Sequence, residues 1–231
     1  MSFLNEILPD TAEAFGKLRD SIFEGGELDR KTKDLIAIAS SVLMRCQFCV
    51  DAHSQRALAQ GASKKEIAEA ISVAMLLAGG TQIGWANVYS ENVYGLIFEE
   101  KKSEEQGKEK GFCNRMLFLN KMLPDTFEAF GKLRDSIFEG GELDRKTKEL
   151  IAIASSVLMR CQFCVDAHSQ KALIQGASKK EIAETIAVAM FIAAGSQLGW
   201  TNVYSENVYG LIFEEKKSKE QGNENVCCCG K

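Results

Sequence analysis

Apolar residues recur along this chain at intervals of three and four, and no stretch keeps the two-residue alternation of a half-buried strand, so the pattern predicts an all-α fold. A first helix is expected from about Pro9, which suits a first turn, to Phe23, with Gly25-Gly26 ending it. A second begins near Asp29 and turns Leu35, Ile36, Ile38, Ala39, Val42 and Leu43 toward the core. A third stops at Gly61, a residue suited to the left-handed position after a helix. Ser63 to Glu66 has the S-x-x-E form of a capping box and opens a fourth helix through Ala68, Ile71, Met75 and Leu76, which Gly79-Gly80 is expected to close. A fifth runs from near Gln82 to Glu100 and carries Trp85, Val88, Tyr89, Val93, Leu96 and Ile97. No Gly or Pro separates Asp29–Arg45 from Cys46–Gln60. One helix across both would be long against a usual length of about 11–12 residues, so a break near Arg45 is expected.

The whole plan then occurs again. Sliding the chain by 115 residues superposes Pro9 on Pro124, Cys46 on Cys161 and Trp85 on Trp200 without a gap. A period this long exceeds the roughly 20 to 50 residues of solenoid repeats, so each copy reads as a small globular unit of about five helices. The expected organisation is a first unit over 1–107, a linker over 108–115, a second unit over 116–222 and a cysteine-rich tail over 223–231. The aligned copies differ most between Leu76 to Ala86 and Phe191 to Thr201. Compensating repacking accounts for such a difference, and so do two pockets of different preference if this junction lines a site.

Composition narrows the field. With 231 residues, 45% hydrophobic, 26% charged and a net charge of −4, the chain reads as a water-soluble protein with no basic surface that would call for nucleic acid. No apolar run looks long enough to span a bilayer, and Met1 to Asp10 lacks the regions of a signal peptide, so a cytoplasmic location and no membrane partner are expected. A single unit of this size buries a modest core, which favours association of the halves and a homo-oligomer. In a reducing compartment the eight cysteines point to redox or metal chemistry rather than a structural disulfide framework.

Both histidines sit four residues after the second cysteine of a C-x-x-C pair: Cys46, Cys49 and His53, then Cys161, Cys164 and His168. Thiols three apart on a helix share a face and can bridge, and an imidazole one turn further on can take a thiol proton. Only the thiolate attacks a peroxide or a disulfide. Adjacency to the histidine favours Cys49 and Cys164 as the attacking residues, and a helix start favours Cys46 and Cys161; the former are preferred. No G-x-G-x-x-G follows a strand, so no nucleotide or flavin cofactor is expected.

The run LDRKTKDLIAIASSVLMRCQFCVDAHSQRALAQGASKKEIAEAISVAM resembles the carboxymuconolactone decarboxylase superfamily, in its AhpD-like (alkylhydroperoxidase) branch, here tandem duplicated. The hallmark is an acidic residue twelve before the C-x-x-C with a histidine four after it: Asp34 with Cys46, Cys49 and His53, and Glu149 with Cys161, Cys164 and His168. The resemblance implies an all-helical fold, oligomeric assembly, and thiol-based reduction of hydroperoxides or small disulfides. It also implies that Asp34 and Glu149 form proton relays with the histidines, and that a thioredoxin-like or lipoyl dithiol re-reduces the cysteines. Two positions depart from the pattern. Asp34 is shorter than the family-like Glu149 and is expected to reach the imidazole less well, weakening the first site. Phe48 and Phe163 stand inside the cysteine pairs where the namesake peroxidase has a second histidine.

Other readings use the same residues. A carboxymuconolactone decarboxylase-type enzyme would share the fold but has no need of a dithiol. A zinc-binding or assembly module would take Cys46, Cys49 and His53 as ligands with a fourth from the tail, although structural zinc sites draw on two separate knuckles. Cys113, aligned with Cys228, and the ending Cys227-Cys228-Cys229 would relay disulfides, bind metal, or do neither.

Overall fold

The computed structural model of the chain describes residues 8–92 and 123–204 with Asn5 and Asn120, and for 84–92 and 200–204 the helical backbone alone. The expected linker, the cysteine-rich tail, Cys113 and the side chains of Trp85, Tyr89 and Trp200 lie outside the described residues. Among those described, the fold is all-α, with eight helices in two groups of four: α1 Pro9–Phe23, α2 Arg30–Leu43, α3 Gln47–Ala59 and α4 Lys64–Asn92, then α5 Pro124–Phe138, α6 Arg145–Leu158, α7 Gln162–Ile174 and α8 Lys179–Tyr204.

Local chemistry sets most helix ends. Asp29 caps α2 by accepting the Thr32 amide at 2.9 Å, and Asp144 does the same for α6 through Thr147 at 2.9 Å. The capping box at α4 forms as expected, with the Glu66 amide on Ser63 Oγ at 3.0 Å and the Ser63 amide on Glu66 Oε2 at 2.8 Å. The break between α2 and α3 falls at Arg45, which adopts the left-handed conformation with φ 55°. There the Cys46 amide reaches back to Ser41 O and the Arg45 amide to Val42 O, both at 3.0 Å, the double closure of a Schellman ending. Arginine fills a place that glycine normally takes.

Gly79-Gly80 does not close a helix. α4 runs straight through, so each group has four described helices rather than five. The glycine at this point serves close packing: a Cβ on Gly80 would stand 3.2 Å from the ring of Phe130 in α5, and one on Gly195 would stand 3.5 Å from Phe15 in α1. The aligned pair in the second copy is Ala194-Gly195, which keeps the glycine at the contact and replaces its neighbour with a strong helix former.

The two halves interlock. α4 packs on α5, α6 and α7 of the second half, and α8 packs on α1, α2 and α3 of the first, while α2 and α6 face each other at the centre. Leu35, Ile36, Ile38, Leu150, Ile151 and Ile153 from α2 and α6 are fully buried in one shared core. Sandwiched on several sides, α4 and α8 are apolar enough over Lys64–Ile83 and Lys179–Gly199 to pass the length and composition test for a membrane span, contrary to the sequence expectation. Packing between the halves accounts for part of that composition, with 39% and 44% of the two apolar windows buried.

Two matching clasps fasten this arrangement. Glu184 in α8 accepts the amides of Glu27 and Leu28 at 2.8 and 3.0 Å and pairs with the buried Lys33 at 3.4 Å. Glu69 in α4 accepts the amides of Glu142 and Leu143 at 2.8 and 2.9 Å and pairs with the buried Lys148 at 3.4 Å. Each ammonium also donates to the carbonyl of Gly25 or Gly140. Burial pushes the carboxyls of Glu184 and Glu69 up, and the amide donors with the lysines more than reverse this, holding both below the ordinary range. Gly26, at φ 99°, is compatible with the clasp because a Cβ there would lie 2.5 Å from the Glu184 carboxylate. Glu184→Ala and Glu69→Ala should each cost about 3–5 kcal/mol, as a nearly inaccessible lysine loses its counter-charge. Urea unfolding checks this; a midpoint shift worth less than about 1 kcal/mol, the scale of an exposed pair, would assign the clasps no structural weight.

Candidate active site

The Arg45 turn places Cys46 at the N-cap of α3, with its sulfur accepting the Cys49 amide at 3.3 Å; Cys161 does the same at α7 with the Cys164 amide at 3.3 Å. The exposed amides and dipole of a helix start favour negative charge on these two sulfurs. The Cα atoms of each pair stand 5.3 Å apart, and both pairs are bridged as disulfides, Cys46–Cys49 and Cys161–Cys164.

One turn on, each histidine is tied to the acid of the preceding helix. His53 Nδ1 lies 2.7 Å from Asp34 Oδ1, and His168 Nδ1 lies 2.6 Å from Glu149 Oε2, with both carboxylates fully buried. Asp34 therefore reaches its histidine as closely as the longer Glu149 does, contrary to the sequence expectation. At the second site, where Nδ1 of His168 faces the Glu149 carboxylate, Nδ1 is the nitrogen that carries the proton, which leaves Nε2 as the basic atom.

Around each acid–histidine pair stands a shell that the motif alone does not name. Arg30 donates to Asp34 at 3.1 Å and Arg145 to Glu149 at 2.7 Å, each one helical turn before the acid. The same guanidinium groups lie over the rings of Phe23 and Phe138, at 4.9 and 4.6 Å from the centroids. Those rings stack in turn on His53 and His168 at 5.5 and 5.7 Å, fixing the imidazole planes. The Arg30–Asp34 spacing was a readable signal, being a four-residue ion pair on one helix face. Nothing local marks Phe23 or Phe138. Phe48 and Phe163, inside the cysteine pairs, are 51% and 39% exposed.

Burial raises the carboxyls of Asp34 and Glu149, and the hydrogen bonds and attraction of the histidines, with the arginines behind them, bring both below the ordinary range. For His53, burial is the strongest influence and lowers the pKa; the bond to Asp34 works against it, Arg56 works with it, and the net is a depressed value. Arg56 is drawn into this pair, with Nε 3.4 Å from Asp34 Oδ1 and Nη2 3.1 Å from His53 Nδ1.

Beside the second site opens a cavity of about 260 Å³. Cys164, His168, Arg145, Lys171, Phe130 and Phe138 line it from the second half, and Leu76, Leu77 and Gly80 line it from α4 of the first. The site is thus completed across the two halves. His168 and Cys164 share a wall of it. Among the described residues, no group of three or more His, Cys, Asp and Glu side chains is placed to hold a metal ion.

A model of the carboxymuconolactone decarboxylase family matches residues 9–87 and again 124–200. The chain is 37% identical over 75 residues to uncharacterized protein 4 in the cox locus of Paracoccus denitrificans, a stretch that makes up 32% of this chain and 68% of that one. It is 43% identical over 54 residues to an uncharacterized protein of Haemophilus influenzae, covering 23% of this chain and 48% of the relative. A crystal structure from Burkholderia xenovorans, described as a candidate gamma-carboxymuconolactone decarboxylase subunit, superposes with a TM-score of 0.65 at 21% identity over 88% of this chain and 90% of its own. At that identity the likeness concerns the fold.

The depressed His53 pKa has a consequence for stability. The unfolded chain takes up this proton near the ordinary pKa of about 6.5 while the folded protein resists it, so the contribution is complete above that pH and is lost as pH falls toward the folded value. Protonation of Asp34 and Glu149, also depressed, extends the loss below about pH 4. The thermal midpoint should drop between pH 7.5 and 5.5, and His53→Gln should flatten that drop. An unaltered slope in the variant would assign the effect elsewhere.

Proposed function

The chain belongs to the carboxymuconolactone decarboxylase family, and on that footing we propose that it is a thiol-dependent oxidoreductase of the alkylhydroperoxidase (AhpD-like) branch, reducing hydroperoxides or small disulfides. The observation that carries this reading is the meeting of Cys164 and His168 in one cavity wall, with the imidazole held through Nδ1 so that Nε2 stays basic. The first half repeats the same acid, histidine and dithiol arrangement.

In the reduced protein, His168 Nε2 takes the proton of Cys164, and the thiolate attacks the terminal oxygen of a hydroperoxide. The S–O bond forms as the O–O bond breaks, and the departing alkoxide leaves as an alcohol with the proton held by the imidazole. Cys161, favoured as a thiolate by the α7 start, then attacks the sulfenic sulfur; the S–S bond forms and water leaves. An external dithiol, thioredoxin-like or lipoyl, returns two electrons by attacking the sulfur of Cys164. Cys161 is the better leaving group because its helix start stabilises the thiolate. Glu149 and Asp34 act as positioning residues that fix the histidine tautomer. Cys49 and Cys46 take the corresponding attacking and resolving roles in the first half.

The experiment is turnover of hydrogen peroxide and cumene hydroperoxide with a dithiol reductant, alongside thiol titration. Each fully reduced site should lose two thiols per hydroperoxide consumed. Cys49→Ser with Cys164→Ser should lower turnover about a thousandfold or more, the scale on which an essential nucleophile acts. Cys46→Ser with Cys161→Ser should leave a first oxidation step that stalls at a trappable sulfenic acid. Turnover that survives loss of Cys49 and Cys164 refutes the mechanism.

A further inference from the structure

The two sites share their chemistry but not their walls. At the second site, the first half contributes Leu76 to the cavity beside Cys164 and His168. The residue aligned with Leu76 is Phe191, and α8 carries it to the first site. There Phe191 is 1% exposed, stacks on Phe15 with centroids 4.7 Å apart, and meets Phe23 edge-on at 5.7 Å. Phe23 is the ring that stacks on His53. Phe15 and Phe23 correspond to Phe130 and Phe138, which line the second cavity, so the two walls differ in the third ring: Phe191 stands where the second site has Leu76.

We infer that Leu76 and Phe191, each donated by the opposite half, set substrate size at the two sites. The Cys161–Cys164 site admits hydroperoxides with a bulky apolar body, and the Cys46–Cys49 site is restricted to small ones such as hydrogen peroxide. The side chain that governs each dithiol is therefore encoded in the other copy: position 191 acts on Cys49, and position 76 acts on Cys164. The identity of the substrates as hydroperoxides rests on the function proposed above; the difference in wall size does not.

The test reads the walls without requiring turnover. The full chain is reduced and treated with iodoacetamide or with the bulkier N-phenylmaleimide, and labelling of each cysteine is followed by peptide mass spectrometry. The ratio of bulky to small reagent rate at Cys49 should be at least about tenfold lower than at Cys164, the scale on which one apolar group in a pocket discriminates. Phe191→Leu should raise the ratio at Cys49 and leave Cys164 unchanged. Leu76→Phe should lower it at Cys164 and leave Cys49 unchanged. Equal ratios in the wild type, or a substitution that acts on the dithiol of its own half, would overturn the assignment. Thiol loss to cumene hydroperoxide against hydrogen peroxide, measured in Cys46→Ser/Cys49→Ser and in Cys161→Ser/Cys164→Ser chains, should show the same preference. If neither hydroperoxide oxidises either chain while the alkylation pattern holds, it is the oxidoreductase reading that falls and the size assignment that stands.

Discussion

A buried ammonium facing a carboxylate from the other copy is the contact around which this molecule is built. Lys33 and Lys148 lie almost wholly out of water, and each depends on an acid that its own half does not supply. An uncompensated charge in such a place is costly, so the halves are driven to dock in the one register that brings Glu184 and Glu69 into line. The same carboxylates accept the amides of 27–28 and 142–143, the turns that lead into α2 and α6. The same contacts thus join the copies and anchor the starts of the helices that carry Asp34 and Glu149.

A second tie builds the chemistry on that frame. The acid–histidine bond runs between α2 and α3, or α6 and α7, and it fixes both the ring and the tautomer. Aromatic stacking and the arginine beyond it hold the plane. The dithiol begins immediately after the left-handed turn at Arg45 or Arg160, which ends one helix and starts the next within three residues. Backbone geometry at that turn, rather than any side-chain contact, is what sets the first sulfur of each pair at a helix start.

Much of this was legible in the residues because it is local. Asp29, Ser63 with Glu66, and Gly61 carry standard end signals, and the structure uses each of them. The break at Arg45 was readable only from the improbable length of an unbroken helix, since arginine gives no sign of adopting φ 55°. Gly79-Gly80 misled for the opposite reason. Two glycines resemble a terminator, yet the contact of Gly80 with Phe130 lies in a different half and leaves no local trace. The reach of Asp34 was underestimated because side-chain length was considered without the approach of α3 to α2. Which copy's helix covers which dithiol is invisible in a tandem repeat, because either copy could pair with itself or with the other by the same pattern.

The crossing of α4 and α8 has a consequence for how such a protein can change. In an association of two identical chains, any replacement on the covering helix appears beside both dithiols simultaneously. Joined end to end, the copies escape that symmetry: a leucine and a phenylalanine occupy equivalent places in one molecule, always in equal number. Tandem duplication here yields a fixed pair of unlike copies without the problem of sorting unlike partners.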